Sequence, residues 1–395
     1  MTGTITRRKL AKGVSWGFSF FAGRDAEGKR QQVTKSGFET RKAAAAALAE
    51  ALDRHRKGLA VVKDVRTFGE FLSAWLSDTA AKRTTPKTLE AYTQHIQRIV
   101  TKLGKEPLSL VTPAKLEKAL WALLENGGKD REGNPRPLSA RTVRHTAATV
   151  GAAFKDAVRL GQVDSNPMDR VKLPTCEQKR PEALGRSDIS RLFAAAAGTV
   201  LYPIVALALA TGARRGELLA LTWADVDLER GAVSISKSLE QVRDQVRVKP
   251  TKSKKPRVVA LPASAVAILR QHQAEQAERH TRARELYGDD FQELGLVFCG
   301  PDGALYHPDR VGARVCELSK SLGLKAGLHK LRHQHASESL SAGVPLPAVS
   351  SRLGHANPSI TSAIYSHALG EDERAAAEQW DRQFGGVLSA KPARC

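Results

Sequence analysis

The chain is poor in the residues and runs that usually announce a metal, a nucleotide or a membrane. Its 395 residues include only four cysteines, Cys176, Cys299, Cys316 and Cys395, and no CxxC pair. That excludes a zinc finger or a thioredoxin-type site and fits reduced thiols in a cytosolic protein. No HExxH occurs, and His329, His333 and His335 cluster without cysteine partners, so a zinc site is not supported. No GxxxxGK[ST] occurs, which excludes a P-loop. The longest apolar run, YPIVALALATGA, is too short to span a bilayer and reads as a buried helix. The opening MTGTITRRKLAKG is basic without an apolar core, so no signal peptide is expected there. No internal repeat is present. Tyrosine is scarce as well, with five in the chain, one of them Tyr365.

Acidic residues are the other deficit. There are 41 of them against 62 lysines and arginines, a net charge of +21. Such a balance is the footprint of a polyanion binder, with nucleic acid as the leading partner and a membrane surface or simple solubility as the alternatives. The excess is uneven. Residues 1–66 carry 15 basic and 6 acidic side chains, residues 67–180 carry 19 and 12, and residues 181–395 carry 28 and 23. The densest basic region therefore lies at the start, where phosphate contacts are expected.

The pattern predicts a multidomain α+β protein. VSWGFSFFAG, a Gly-containing turn and QQVTKSGFET read as strands of a small three-stranded sheet, and TRKAAAAALAEALDRHRKG as a helix capped by Thr40. This module is assigned to 1–62. A helical bundle is assigned to 65–173, from TFGEFLSAWLSDTA to LSARTVRHTAATVGAAFKDAVRLG, with Thr85-Pro86 and Thr112-Pro113 as helix openings. A proline-bearing linker follows. Residues 182–388 form a mostly helical domain with a small antiparallel sheet around GAVSISKS, QVRVKP and RVVALP.

Four stretches of this last domain carry chemistry. They are TGARRGELLALTW with Arg214, TKSKKPRVVALP with Lys252, HKLRHQHAS with His329 and Arg332, and LGHANPSITSAIY with His355 and Tyr365. Taken singly, each has a bland reading: a solvated helix start, a basic turn, a polar surface, a packing tyrosine. A helix start is nonetheless a poor place for two cations. Together, in this order and spacing, they resemble the tyrosine recombinases of the phage integrase family. Residues 67–165 are similar to the core-site-binding domain of those enzymes, and 5–58 to their arm-site-binding module.

The resemblance implies a site-specific DNA recombinase, active without metal, ATP or other cofactor. It implies catalytic roles for Arg214, Lys252, His329, Arg332, His355 and Tyr365. Two planar guanidiniums suit the charge that builds on a phosphodiester under attack. A phenol with a pKa near 10 forms an ester that can be reversed. Lys252 is placed to protonate the departing 5′ oxygen, His329 to take the tyrosine proton or assist resolution, and His355 to hydrogen-bond the phosphate. Lys330, where the family often has an acid, and Gln334, where it often has threonine, depart from the pattern. Double-stranded DNA attachment sites are the implied partners, engaged by a homotetramer, with an excisionase or a DNA-bending host factor as the accessory class and no membrane partner. Trp16, Lys29, Arg30 and Lys35 in the first module, and Arg141 and Arg144 in the bundle, are the candidate DNA contacts. A helix is expected from Asn357-Pro358 onward, with Ile360, Ala363, Ile364 and His367 on its packing face and Tyr365 off it. Another helix is expected in the tail SHALGEDERAAAEQWDRQFGG. Relaxation of supercoils by the same chemistry, and a catalytically silent DNA-binding protein, are the competing readings.

Overall fold

The computed structural model describes residues 2–10, 13–24, 30–57, 66–130, 132–176, 184–251, 255–355, 357, 359, 362 and 382. The chain divides into two compact units, Met1–Glu177 and Gln178–Cys395.

The first unit opens with an antiparallel sheet in the order β1-β2-β3, from Gly3–Leu10, Gly13–Arg24 and Arg30–Phe38. Alternation assigns its two faces. Ile5 pairs with Phe18 and Phe18 with Lys35, while Thr4 pairs with Ser19 and Ser19 with Thr34. Phe18 and Phe20 are buried and pack with Leu48 and Ala51 of α1 (Arg41–Arg56). The Thr4–Ser19–Thr34 row therefore lies on the opposite, open face. Thr40 caps α1, accepting the Ala43 N–H at 3.1 Å.

The bundle comprises α2 (Phe68–Trp75), α3 (Ala81–Arg83), α4 (Pro86–Leu103), α5 (Pro113–Asn126) and α6 (Ala140–Arg159), with a two-strand ribbon of β4 (Gly128–Lys129) and β5 (Pro135–Arg136). Thr67 and Glu70 form a reciprocal cap at α2, and the Thr-Pro openings start α4 and α5 as the sequence predicts. The core is built from Phe68, Phe71, Phe154, Leu116 and Leu120. TFGEFLSAWLSDTA is not one regular helix. Leu76–Ala80 form a π-helical turn between α2 and α3. Arg54 of α1 donates to Asp164, beyond α6, at 2.6 Å.

The second unit is helical around small sheets. Its elements are α7 (Arg186–Ala196), α8 (Leu201–Thr211), α9 (Arg215–Leu219), β6 (Val226–Asp227), β7 (Ala232–Ile235), β8 (Lys237–Val242), β9 (Gln245–Pro250), β10 (Arg257–Ala260), α10 (Ala263–Tyr287), α11 (Pro308–Ser321), α12 (Leu328–Ser341) and α13 (Leu346–Leu353). β10-β7-β6 form one antiparallel sheet, and β8-β9 a hairpin. The apolar α8 is buried nearly all round, with Ile204, Val205, Leu207 and Ala208 at 1% exposure or less, which is why its hydrophobicity shows no stripe. No helix among the described residues is long and apolar enough to cross a membrane.

Candidate active site

Four of the six motif side chains lie among the described residues, and all four come from the second unit. Arg214 is the residue before α9. It follows Gly212, which ends α8 in the left-handed region at φ +62°. A Cβ at Gly212 would meet His335 Cδ2 and Leu353 Cδ2 at 2.7 Å, so close approach as well as φ requires glycine. Glu217 reaches back from α9. It accepts the Arg214 N–H at 3.0 Å and Arg214 Nη1–H at 2.8 Å. Its side chain is 1% exposed. Burial alone would raise this carboxyl. The hydrogen bond and charge of Arg257, and then the backbone and charge of Arg214, outweigh that effect and hold it below the ordinary carboxylate value.

His329 and Arg332 stand in the first turns of α12. Arg332 is 3% exposed. Its Nη1 donates to Gly212 O at 2.6 Å and its Nη2 to Leu353 O at 2.8 Å. Arg214 Nη2 donates to Gly354 O at 3.2 Å, and Arg257 Nε to Arg352 O at 2.9 Å. Three consecutive carbonyls at the end of α13 thus each hold one guanidinium. A helix C-terminus favours this, because its last carbonyls lack intrahelical partners and carry the negative end of the dipole. Gly354, at φ +65°, then turns the chain into His355, whose N–H donates to Ser350 O at 3.1 Å.

The imidazoles here are neutral at pH 7. Burial, then the charges of Arg332 and Arg214, push His355 down to about 4. Partial burial and the same two arginines lower His329. The His329 ring meets His333 edge to face, with centroids 4.6 Å apart. A neutral imidazole can accept a proton, and it leaves the cationic work to the arginines. A cleft of about 500 Å³ opens over Ala213, Arg214, Gly327, His329 and Arg332. Among the described residues no group of histidine, cysteine and carboxylate side chains is placed to hold a metal ion.

Lys252 and Tyr365 lie outside the described residues. So do Ile360, Ala363, Ile364 and His367, and all of the tail but Arg382. Asn357 Oδ1 accepts the Ser359 N–H at 3.0 Å, as a capping asparagine does.

Sequence reasoning passed over two side chains of this cluster, Arg257 and Arg352, and weighed a third, His335, only as a metal ligand or a polar surface. His335 donates from Nδ1 to Leu209 O at 2.8 Å and accepts Arg352 Nε–H on Nε2 at 3.0 Å, which fixes its tautomer. Burial and the Arg352 charge push it down to about 4. Arg352 Nη2 also donates to Ala210 O at 2.9 Å and to Ala260 O at 2.8 Å, joining α8 and β10 to α13. The only available signal was arginine in RVVALP and RLGH, next to motifs already singled out. Gln334, the departure from threonine, is buried and accepts the Leu184 N–H at 2.6 Å. A second cavity of about 480 Å³ includes Gln276, His280, Cys299 and Tyr306. Burial raises the Cys299 thiol there, so it is not a ready nucleophile.

The candidate DNA contacts are more scattered. Lys29 is outside the described residues. Arg30 is exposed, with its guanidinium 5.0 Å from the Phe21 ring centroid. Register sets Lys35 opposite Phe18 and Trp16 opposite Arg7, on the sheet face that carries the core, and the Arg7 guanidinium lies 5.8 Å from the Trp16 ring. Lys35 is exposed there and Trp16 half-buried. Arg141 and Arg144 are exposed in the first turns of α6, where Arg144 Nη1 donates to Pro174 O at 3.2 Å.

Comparison with known proteins bears on the family and the fold. Residues 182–371 match the Phage integrase family, residues 6–54 the Arm DNA-binding domain, and residues 67–124 the Phage integrase, N-terminal SAM-like domain. A Tyrosine recombinase XerC-like protein of Caldanaerobacter subterraneus subsp. tengcongensis is 27% identical over 385 residues, covering 92% of this chain and 94% of that protein. An Integrase of Streptomyces ambofaciens is 28% identical over 383 residues, covering 94% and 93%. Among solved structures, the Tn1549 transposon integrase with a circular intermediate DNA aligns at TM-score 0.64 and 18% identity, over 80% of this chain and 99% of that one. A lambda integrase tetramer bound to a Holliday junction aligns at TM-score 0.55 and 18% identity, over 89% and 96%. These two likenesses establish the fold.

Proposed function

Because the chain belongs to the phage integrase family of tyrosine recombinases, we propose that Arg214, His329, Arg332 and His355, with Lys252 and Tyr365, form its strand-transfer centre. The protein is a site-specific DNA recombinase. The observation that carries the site assignment is the gathering of Arg214, Arg332 and the His355 turn at one helix end from three separate stretches of chain.

In this reading the scissile phosphate lies over the cleft lined by Arg214, His329 and Arg332. The Tyr365 hydroxyl oxygen attacks phosphorus, and the bond from phosphorus to the 5′ oxygen breaks. His329 takes the phenol proton and Lys252 gives one to the departing oxygen. The 3′-phosphotyrosyl ester conserves the broken bond, and a 5′ hydroxyl from the other duplex reverses the step. Arg214 and Arg332 donate to the non-bridging oxygens, where charge develops. A guanidinium offers five N–H donors in a fixed fork. Such a fork can hold a backbone carbonyl and a phosphate oxygen at once.

The division of labour follows the sequence assignment. Residues 1–62 bind an arm site, 65–173 grip a core site, and 182–388 cut and rejoin. Four protomers act on two duplexes in the bacterial cytoplasm, with an excisionase or a DNA-bending host factor setting direction. The sheet of the first module enters a major groove, which is wide enough for strands. The test is exchange between two attachment sites, identified from paired repeats flanking the gene. Recombinant junctions are expected. Relaxation of supercoiled DNA without any junction would instead support a topoisomerase.

A further inference from the structure

Arg257 opens β10, five residues after Lys252. An arginine at the head of a strand reads as a solvent-facing residue. Here its side chain is 9% exposed. Nη2 donates to Glu217 Oε2 at 2.6 Å, and Nε donates to Arg352 O at 2.9 Å. Nη1 is buried and has no partner among the described residues. It lies against Gly354, where a Cβ would meet it at 2.7 Å. Burying a guanidinium is strongly unfavourable unless its partners are well placed, so a fold that does so needs a reason.

Holding the strand is not that reason. β10 is already paired to β7 through its backbone, from Arg257 opposite Ile235 to Ala260 opposite Ala232. Arg352 independently joins α13 to β10 through Ala260 O, at 2.8 Å. What Arg257 adds is contact with two groups that touch the strand-transfer centre. One is Glu217, whose other partner is Arg214. The other is the carbonyl that directly precedes those held by Arg332 and Arg214.

We infer that Arg257 is a positioning residue for strand transfer: it fixes Arg214 through Glu217, and the turn into His355 through the Arg352 carbonyl. The inference rests on the assignment of Arg214 and His355 to the centre. Glu217 is a buried carboxylate shared by two cations. Its Oε1 takes Arg214 Nη1, while its Oε2 takes the Arg214 N–H and Arg257 Nη2. With Arg257 in place, one oxygen is committed to β10. Arg214 is then held by a single side-chain bond to the acid and keeps donors for a phosphate. Without Arg257, both oxygens are free to turn to Arg214 and draw its guanidinium away from the cleft. The turn loses the innermost of its three arginine bonds at the same time. DNA still docks, because most phosphate contacts lie elsewhere, but the reacting phosphate is misplaced.

The test is single-turnover formation of the covalent protein–DNA adduct by the full chain at saturating cleavable half-site DNA. Arg257→Met, Arg257→Lys, Glu217→Gln and the double variant Arg257→Met/Glu217→Gln are compared, with Tyr365→Phe in parallel. Val259→Ala, on the same strand, controls for lost stability. Arg257→Met is expected to slow adduct formation by roughly 10- to 100-fold, the scale of an ångström-level misplacement. Half-site affinity is expected to stay within about threefold, because counterion release at many phosphates dominates it. Arg257→Lys recovers part of the rate, because one ammonium can serve only one of the two acceptors. The double variant loses less than the product of the single losses, because one residue acts through the other. Should Arg257→Met not fold, Arg257→Lys carries the comparison. An unchanged saturating rate in Arg257→Met, an equal loss in Val259→Ala, or single losses that multiply would each overturn the inference. If Tyr365→Phe still forms adduct, the site assignment itself fails. If Tyr365→Phe is dead and Arg257→Met is not impaired, only the role of Arg257 falls.

Discussion

Arg332 and Arg214 donate to neighbouring carbonyls, Leu353 O at 2.8 Å and Gly354 O at 3.2 Å. The end of α13 therefore sets the spacing between two guanidiniums that approach it from α12 and α9. Pre-setting that spacing lowers the reorganisation needed when a phosphate arrives.

The first expectation concerns these arginines. Arg214→Ala and Arg332→Ala should each slow adduct formation by about 10²–10³, the usual loss for one charge-stabilising donor. Lysine should not restore Arg332, because an ammonium cannot reach two carbonyls in a fork. Arg332→Ala should also lower the melting midpoint, since its side chain is buried and bonded on both sides. Rate measurements at saturating DNA separate the two effects.

Gly354→Ala should be costly for two reasons. The φ of +65° disfavours a Cβ by about 1–2 kcal/mol, and that Cβ would meet Arg257 Nη1 at 2.7 Å. A lower denaturant midpoint and slower cleavage are expected together. A variant as stable and as fast as wild type would show that the turn is not held as described.

Acid should destabilise the second unit before its carboxylates titrate. Burial, with nearby arginine or histidine charge, holds His333, His335 and His355 at about 4 in the fold, against an ordinary 6.5. The unfolded chain takes up these protons below pH 6.5, whereas the folded chain does so only near pH 4. The stability they contribute is thus present above 6.5 and lost as pH falls toward 4. Melting midpoints of the DNA-free protein should fall across that window. A flat profile from 6.5 to 4.5 would contradict neutral imidazoles.

In the first module the open sheet face carries the Thr4–Ser19–Thr34 row. Thr34→Val should weaken arm-site binding, while deletion of residues 1–60 should remove it and leave core cleavage intact. Binding should also weaken steeply with salt, because phosphate contacts release counterions. Loss of core cleavage on deletion would refute this separation of tasks.

Much of this was readable in advance, for local reasons. Thr40, Thr85-Pro86 and Thr112-Pro113 start helices because capping depends on neighbours in sequence. The order of the arginine, histidine and tyrosine motifs was readable because each is short and chemically distinctive. The π-helical turn at Leu76–Ala80 was not, since its apolar pattern continues that of the helix before it. Nor were Arg257 and Arg352. Sequence alone makes them surface cations, and only the meeting of β10, α9 and α13 buries Arg257 against Glu217. Trp16 and Lys35 were singled out by type, whereas their sheet face depends on register.

The most direct test is chemical. The full chain is incubated with labelled half-site DNA whose cleavage is irreversible, and the adduct is digested and sequenced. The account predicts one phosphotyrosyl peptide, containing Tyr365, linked to the DNA 3′ end, formed without metal or ATP and absent from Tyr365→Phe. An adduct on another residue, or an undiminished adduct in Tyr365→Phe, would contradict it.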